Sequence, residues 1–205
     1  MRGLYVALEG ADRVGKSTQM QKLVKRLKAL ELQVVETQEP GGTALGQEIR
    51  RLLLHEGTKS PVAELLLFLA DRAEHQERVI EPALRRGAVV VSDRSAYSTF
   101  AYQGIRGGLG LDLMLRLHED LGLLLPDMAV VLDMPEDEER WQDRAPDAVE
   151  AQGDHEALRQ AYREIARRFP DRVRLVDADG SARDVAQEIW QEAWQTVMEW
   201  REGRE

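Results

Sequence analysis

The chain has 205 residues, of which 43% are hydrophobic and 32% charged, enough apolar material for a core and too much for wholesale disorder. Its 28 Lys and Arg against 37 Asp and Glu leave a formal net charge of −9, which disfavours a general nucleic-acid binder and means that any anionic ligand is held by a local basic site. It has no cysteine, hence no disulfide framework and no thiolate metal site.

In chain order the pattern predicts a strand over Leu4–Leu8, a helix over Lys16–Leu30, a strand over Val34–Thr37, a helix over Ala44–Leu54 and a long helix over Pro61–Arg86. A strand over Ala88–Ser92, a helix over Leu111–Leu123, a strand over Met128–Leu132, a helix over His155–Arg168, a strand over Val173–Val176 and a helix over Ala182–Trp200 follow. Near-continuous Val, Leu and Ala in the strands predicts burial on both faces, as in a parallel sheet. Strand–helix alternation implies a doubly wound α/β fold of five parallel strands with helices on both faces, which takes ligands at the strands' C-terminal ends. Length fits one domain, 1–205. Residues 135–154 are the least apolar stretch and read as a short flap, or lid, over a site, or else as a plain solvated loop. The N-terminus runs straight into the first strand without a signal-peptide pattern, and no apolar run reaches the roughly 18 residues of a membrane span. The expectation is a soluble, cytoplasmic protein.

Gly10-Ala11-Asp12-Arg13-Val14-Gly15-Lys16-Ser17 matches the phosphate-loop pattern and lies between a predicted strand and a predicted helix, the context that the motif requires. Glycines let backbone N–H groups curl around phosphate oxygens, and the helix N-terminus adds partial positive charge. Gly10, Ala11, Asp12, Arg13, Val14, Gly15, Lys16, Ser17 and Thr18 are the expected ATP-binding residues, with Lys16 reaching the β/γ-phosphates and Ser17 a ligand for Mg²⁺. Such a loop serves switches, motors, ATPases and kinases alike, so the reaction has to be read from the acceptor side. There, Asp93 stands at a strand end where it can join the Mg²⁺ shell, and Arg94 can fork onto a phosphate. Phe68 and Arg72 are four apart on one helix face, where a ring and a planar donor can stack on and hydrogen-bond a base.

Three separated blocks in this order, Glu39-Pro40-Gly41-Gly42-Thr43, Phe68 with Arg72, and Asp93-Arg94 with Ala101-Tyr102-Gln103-Gly104, together with the phosphate loop, make the chain resemble the thymidylate kinases among the P-loop nucleoside monophosphate kinases. The resemblance spans nearly the whole chain, from Leu8-Glu9-Gly10 to Asp177-Ala178. It implies transfer of the γ-phosphate of ATP to dTMP with Mg²⁺, giving dTDP for dTTP synthesis, by a homodimer. It further implies that Asp12 meets the sugar 3′-hydroxyl, that Phe68 stacks on thymine and Arg72 donates to its carbonyl, and that Arg50 and Arg94 hold the acceptor phosphate. Ser98, Thr99, Tyr102 and Gln103 line the deoxynucleoside pocket, with Tyr102 crowding out a 2′-hydroxyl. Glu150 matches a position that reaches the metal region alongside Ser17 and Asp93. Arg13, Lys16, Asp93 and Arg94 are then the catalytic set. The acceptor is an ionised phosphate, so no general base is needed; positioning and charge neutralisation suffice.

Two departures go together. Position 13 is Arg where many members have Gly, and the lid carries only Arg140 and Arg144. The chain looks like the family subgroup that keeps its catalytic arginine in the phosphate loop; the alternative is a solvated Arg13 with Arg140 or Arg144 in that role. A third departure is Gln38, where Arg usually precedes Glu-Pro-Gly-Gly.

Plain structural roles stand beside these. Phe68 lies in an apolar run that suits a core ring, Arg72 has acids nearby that suit a surface pair, and Tyr97 and Tyr102 suit packing. His55, His75, His118 and His155 form no metal spacing, and Trp190, Trp194 and Trp200 suit helix packing. Leu65, Leu66 and Leu69 suit a dimer face or the core equally. A kinase for another nucleotide or nucleoside, and a nucleotide-binding module without transfer activity, are the competing readings.

Overall fold

The computed structural model describes residues 2–56, 60–135 and 155–203. Among these, five parallel strands form one sheet in the order β2-β3-β1-β4-β5. They are β1 (Leu4–Glu9), β2 (Val34–Gln38), β3 (Val89–Asp93), β4 (Met128–Asp133) and β5 (Val173–Asp177). Strand β1 is buried along its whole length, pairing Leu8 with Asp93 on one side and Leu8 with Val130 on the other. Strands β1, β3 and β4 are buried almost throughout, whereas the edge strands β2, with Glu36 and Thr37, and β5, with Arg174, are partly exposed, against the expectation of burial on both faces; the five end in Glu9, Gln38, Asp93, Asp133 and Asp177. The registers Gln38↔Asp93 and Asp133↔Asp177 set these polar ends along one rim. A parallel sheet thus buries its body and delivers polar groups at one edge, because every crossover runs back outside the sheet.

Helix α1 (Lys16–Ala29) starts at Gly15, whose φ of 91° is left-handed. Helix α2 (Ala44–Arg51) is capped by Thr43, whose hydroxyl accepts from the Gly46 N–H, and α3 (Pro61–His75) by Ser60, which accepts from Ala63. The helices α4 (Glu81–Arg85), α5 (Ala96–Thr99), α6 (Leu111–Asp120), α7 (His155–Arg168) and α8 (Ala182–Glu202) complete the set. One sheet face packs a small cluster around Tyr5, Ile80, Leu84 and Val90, and a much larger core includes Leu8, Val89, Phe100, Val131 and Ile165. Each such fully buried side chain contributes about 1.5–3 kcal/mol.

Three expectations are corrected. The helix expected over Pro61–Arg86 is not continuous: a π-helical turn at Gln76–Ile80 separates α3 from α4. Pro82 explains it, since a proline has no N–H to give and its ring clashes with the carbonyl one turn back. The helix expected to Leu54 is α-helical only to Arg51 and continues as a π turn over Leu52–Glu56. The stretch after β3, for which no helix was expected, is α5 followed by a π-helical segment, Phe100–Arg106.

Candidate active site

The phosphate loop joins β1 to α1. Gly10 has φ 129°, and a Cβ there would meet the Leu132 carbonyl oxygen at 2.8 Å, so the loop can run this close to β4 only with glycine. Ala11 and Val14 are buried in the core and anchor the loop. Arg13 has φ 65°, a left-handed conformation in which a non-glycine residue costs about 1–2 kcal/mol. Lys16 folds onto the loop, its Nζ donating to the Ala11 carbonyl at 2.6 Å and the Gly10 carbonyl at 3.2 Å. Burial and the neighbouring Arg94 push its ammonium down to about 8. The Ser17 hydroxyl donates to Asp93 Oδ2 at 3.3 Å, so loop and strand end meet.

Arg94 takes φ 72° directly after β3, and its backbone N–H donates to the Leu8 carbonyl at 2.9 Å. That pairing turns its side chain across the end of β1. Nη2 donates to Asp12 Oδ1 at 2.5 Å, and Nη1 to the Gly10 carbonyl at 3.1 Å. Burial alone would raise the Asp12 carboxyl, but Arg94 and Lys16 outweigh it and hold the group well below the usual carboxylate range. The Tyr102 hydroxyl donates to Asp12 Oδ2 at 3.1 Å, and the Tyr102 ring lies under the guanidinium groups of Arg94 and Arg106 at 5.2 and 4.7 Å.

A cavity beside this cluster is lined by Asp12, Arg50, Phe68, Arg72, Arg94, Ser98, Thr99, Tyr102 and Gln103, all nine of the residues the sequence offered for the acceptor. A second cavity runs along Arg13, Gly15, Lys16, Ser17, Thr18 and Asp93. The two share Asp12, Glu39, Arg50 and Arg94, so they are one continuous cleft with charged groups at the junction. Gln38 lines the loop cavity, and Arg50 donates to the Pro40 carbonyl at 2.9 Å. Glu150, Arg140 and Arg144 lie outside the described residues.

The buried network behind the cleft was not legible beforehand, although Arg72 itself was expected in the site. Arg72 is 3% exposed, and its Nε donates to Glu39 Oε2 at 2.9 Å. Nη1 donates to Thr99 Oγ1 at 3.0 Å and reaches His118 Nε2 at 3.3 Å, and Nη2 donates to the Ser95 carbonyl at 3.0 Å. Among the described residues one of its five N–H groups is left over, and Arg72 lines the cavity. Burial and Arg72 push His118 down to about 4, so it is a neutral acceptor with Nδ1 on the Met114 carbonyl. Burial would raise Glu39, but Arg72 and His75 hold it down, so it is ionised. His75, fully buried, ties Glu39 Oε1 at 3.0 Å to Thr37 at 2.5 Å. This explains the glycine pair in Glu39-Pro40-Gly41-Gly42-Thr43: Gly41 has φ 110°, and a Cβ on Gly42 would collide with the His75 ring. On the other side, Glu9 is buried and raised by desolvation, with Ser95 and Ser98 each donating to it at 2.6 Å and Tyr162 at 3.1 Å. Glu9 and Glu39 stand in the sequence blocks that carry the resemblance but were given no role there, and no sequence signal marks His118; their roles come only from their meeting in space.

A sequence model of the thymidylate kinase family matches residues 8–189. The chain is 43% identical over 190 residues to a thymidylate kinase from Synechococcus sp., covering 91% of this chain and 92% of that one. It is 45% identical over 186 residues to one from Caulobacter vibrioides, covering 87% and 89%. The crystal structure of thymidylate kinase from Ehrlichia chaffeensis matches with a TM-score of 0.76 at 28% identity, over 95% of this chain and 99% of that one. Sheet order, phosphate loop, charged cleft and these likenesses agree, and the chain belongs to the thymidylate kinase family.

Proposed function

We propose that the chain transfers the γ-phosphate of ATP to dTMP, giving ADP and dTDP. The observation that carries this reading is the continuous cleft: a loop built for a nucleoside triphosphate meets the pocket lined by Phe68 and Arg72 at Asp12, Arg50 and Arg94. An oxygen of the acceptor phosphate attacks the γ-phosphorus, and the bond to the bridging oxygen of ADP breaks. The acceptor oxygen is already ionised, so the protein has to position two polyanions and neutralise them.

Lys16 lies across the β/γ-phosphates, exchanging its loop carbonyls for phosphate oxygens. Arg13 neutralises the transferring group; its left-handed backbone is the supporting observation, since a strained residue persists where its side chain has a use. Arg94 and Arg50 hold the acceptor phosphate. Asp12, ionised at neutral pH, accepts from the sugar 3′-hydroxyl. Phe68 stacks on thymine, Arg72 donates to its O4, and Ser98, Thr99, Tyr102 and Gln103 enclose the deoxynucleoside, with the bulk of the Tyr102 ring crowding out a 2′-hydroxyl. Mg²⁺ fits the donor set of Ser17 and Asp93, two oxygen ligands that leave room for phosphate oxygens and water. When bound there it supplies charge neutralisation at the β- and γ-phosphates. The lid expected over 135–154 lies, from residue 136 on, outside the described residues; the chain forms a single kinase domain, and the enzyme is a cytoplasmic homodimer.

The test is transfer of label. With [γ-³²P]ATP, Mg²⁺ and dTMP the label appears in dTDP in proportion to enzyme. Label released only as inorganic phosphate, independent of dTMP, contradicts the reading.

A further inference from the structure

Glu64, Phe68 and Arg72 recur every four residues along α3 and therefore share one face. The last two line the acceptor pocket. Glu64 sits one turn earlier, 5% exposed, and its Oε1 accepts from the Nε2 amide of Gln103 at 2.8 Å. Gln103 is 3% exposed and lines the same pocket from the Phe100–Arg106 segment.

A side-chain amide is nearly symmetrical in shape, so the neighbours decide which end is which. The Glu64 Oε1 accepts here, so it takes the NH₂ end. The carbonyl end is then what Gln103 has to offer a ligand. Arg72, by contrast, only donates. A base that donates at N3 and accepts at O4 is matched by this pair. A 4-amino pyrimidine, which accepts at N3 and donates from its amino group, is mismatched at both positions.

We propose that Glu64 is a positioning residue that fixes the orientation of the Gln103 amide and thereby makes the pocket reject 4-amino pyrimidines. This rests on the reading of Phe68 and Arg72 as base contacts and adds to it the group that sets the second half of the donor–acceptor code. The competing role for Glu64 is structural: an acid in the first turn of α3 favoured by the helix dipole.

The test compares kcat/KM for dTMP, dUMP and dCMP in the unaltered enzyme and in Glu64→Gln. The variant has almost the same shape, and its amide can either donate or accept, so Gln103 is free to turn over. The dTMP-to-dCMP ratio is expected to fall by about tenfold or more, the scale of one recovered hydrogen bond. The dTMP-to-dUMP ratio is expected to stay within about twofold, because dUMP presents the same polar edge. A fall in both ratios together means a loosened pocket and overturns the proposal, as does no change in either. Glu64→Met, which removes the acceptor, gives the same two ratios a second chance to be measured if Glu64→Gln does not fold. A measurement on the unaltered enzyme needs no variant: the side-chain amide protons of Gln103 exchange slowly with solvent in both the free and the dTMP-bound protein. Rapid exchange in either state overturns the proposal. Absence of dTMP turnover in the unaltered enzyme is a distinct failure, that of the kinase reading itself.

Discussion

Replacing Arg13 by Gly separates what the residue costs from what it does. With φ at 65°, Arg13 occupies a conformation that disfavours any side chain by about 1–2 kcal/mol. Glycine relieves that strain but adds freedom to the unfolded chain, which offsets about 0.5–1 kcal/mol. The net stability change is therefore a gain of about 0–1.5 kcal/mol, or no more than about 6 °C in Tm for a chain of this size. On activity the same change removes a charge from the developing transition state. On the scale of arginine fingers, kcat falls by about 10²-fold or more, an increase in barrier of about 2.7 kcal/mol or more. The assay is steady-state ADP release at saturating ATP and dTMP, beside a thermal melt of the same preparation. Arg13→Lys keeps the charge but not the planar fork, and falls between. An unchanged kcat in Arg13→Gly refutes the assignment. A Tm drop of 10 °C or so would refute the backbone argument instead, showing that Arg13 is held for its packing.

Three further outcomes are expected. Lys16 at about 8 is partly deprotonated in the free enzyme at mildly alkaline pH, and an arriving polyphosphate restores its charge. ATP binding at pH 8.5 should take up protons, read by calorimetry in buffers of different ionisation enthalpy, and the affinity should weaken as pH rises past 8; binding with no proton uptake would count against it. Gly42→Ala drives a Cβ into the His75 ring, which is locked between Glu39 and Thr37. It should cost about 1–3 kcal/mol in denaturant unfolding, whereas Gly180→Ala, whose Cβ would meet only ordinary contacts at 3.8 Å, should change little. Asp71, raised by burial to about 6 while accepting from the Gly41 N–H, is protonated more readily in the folded chain than in the unfolded one. The stability this confers is present below about 4 and is lost as pH rises through 6. Asp71→Asn mimics the neutral form, so its melting temperature at pH 7.5 should equal or exceed that of the unaltered protein, the gap closing towards pH 4. A lower Tm at pH 7.5 would show that the ionised carboxylate stabilises the fold.

The sheet was legible because its inner strands β1, β3 and β4, buried on both faces, read as nearly unbroken apolar runs, and the phosphate loop because its glycines and lysine have fixed spacing. The polar rim that ends the strands was legible only at Asp93. Phe68 looked like any core ring in Leu65–Leu69 apart from its four-residue spacing from Arg72, and the resemblance is what gave that spacing weight. Arg72 and Glu39 are 33 residues apart, so their buried pair is invisible to local pattern. His75 and His118 received no role because the histidines show no metal spacing in the sequence; they pin a carboxylate and a guanidinium, which needs three dimensions to see. The helix breaks at Gln76–Ile80 and Leu52–Glu56 escaped notice because an apolar helical period continues through a π turn.

The central claim, phosphoryl transfer to the pyrimidine deoxynucleotide dTMP, is tested most directly by ADP release with ATP and Mg²⁺ over a panel of acceptors. The panel is dTMP, dUMP, thymidine, dCMP, CMP, UMP, AMP, dGMP and no acceptor. Strong turnover with dTMP, weaker with dUMP and near background with the rest is the expected result. Preferred turnover of thymidine or a cytidine nucleotide would contradict the pocket assignment, and acceptor-independent ADP release would contradict the transfer itself.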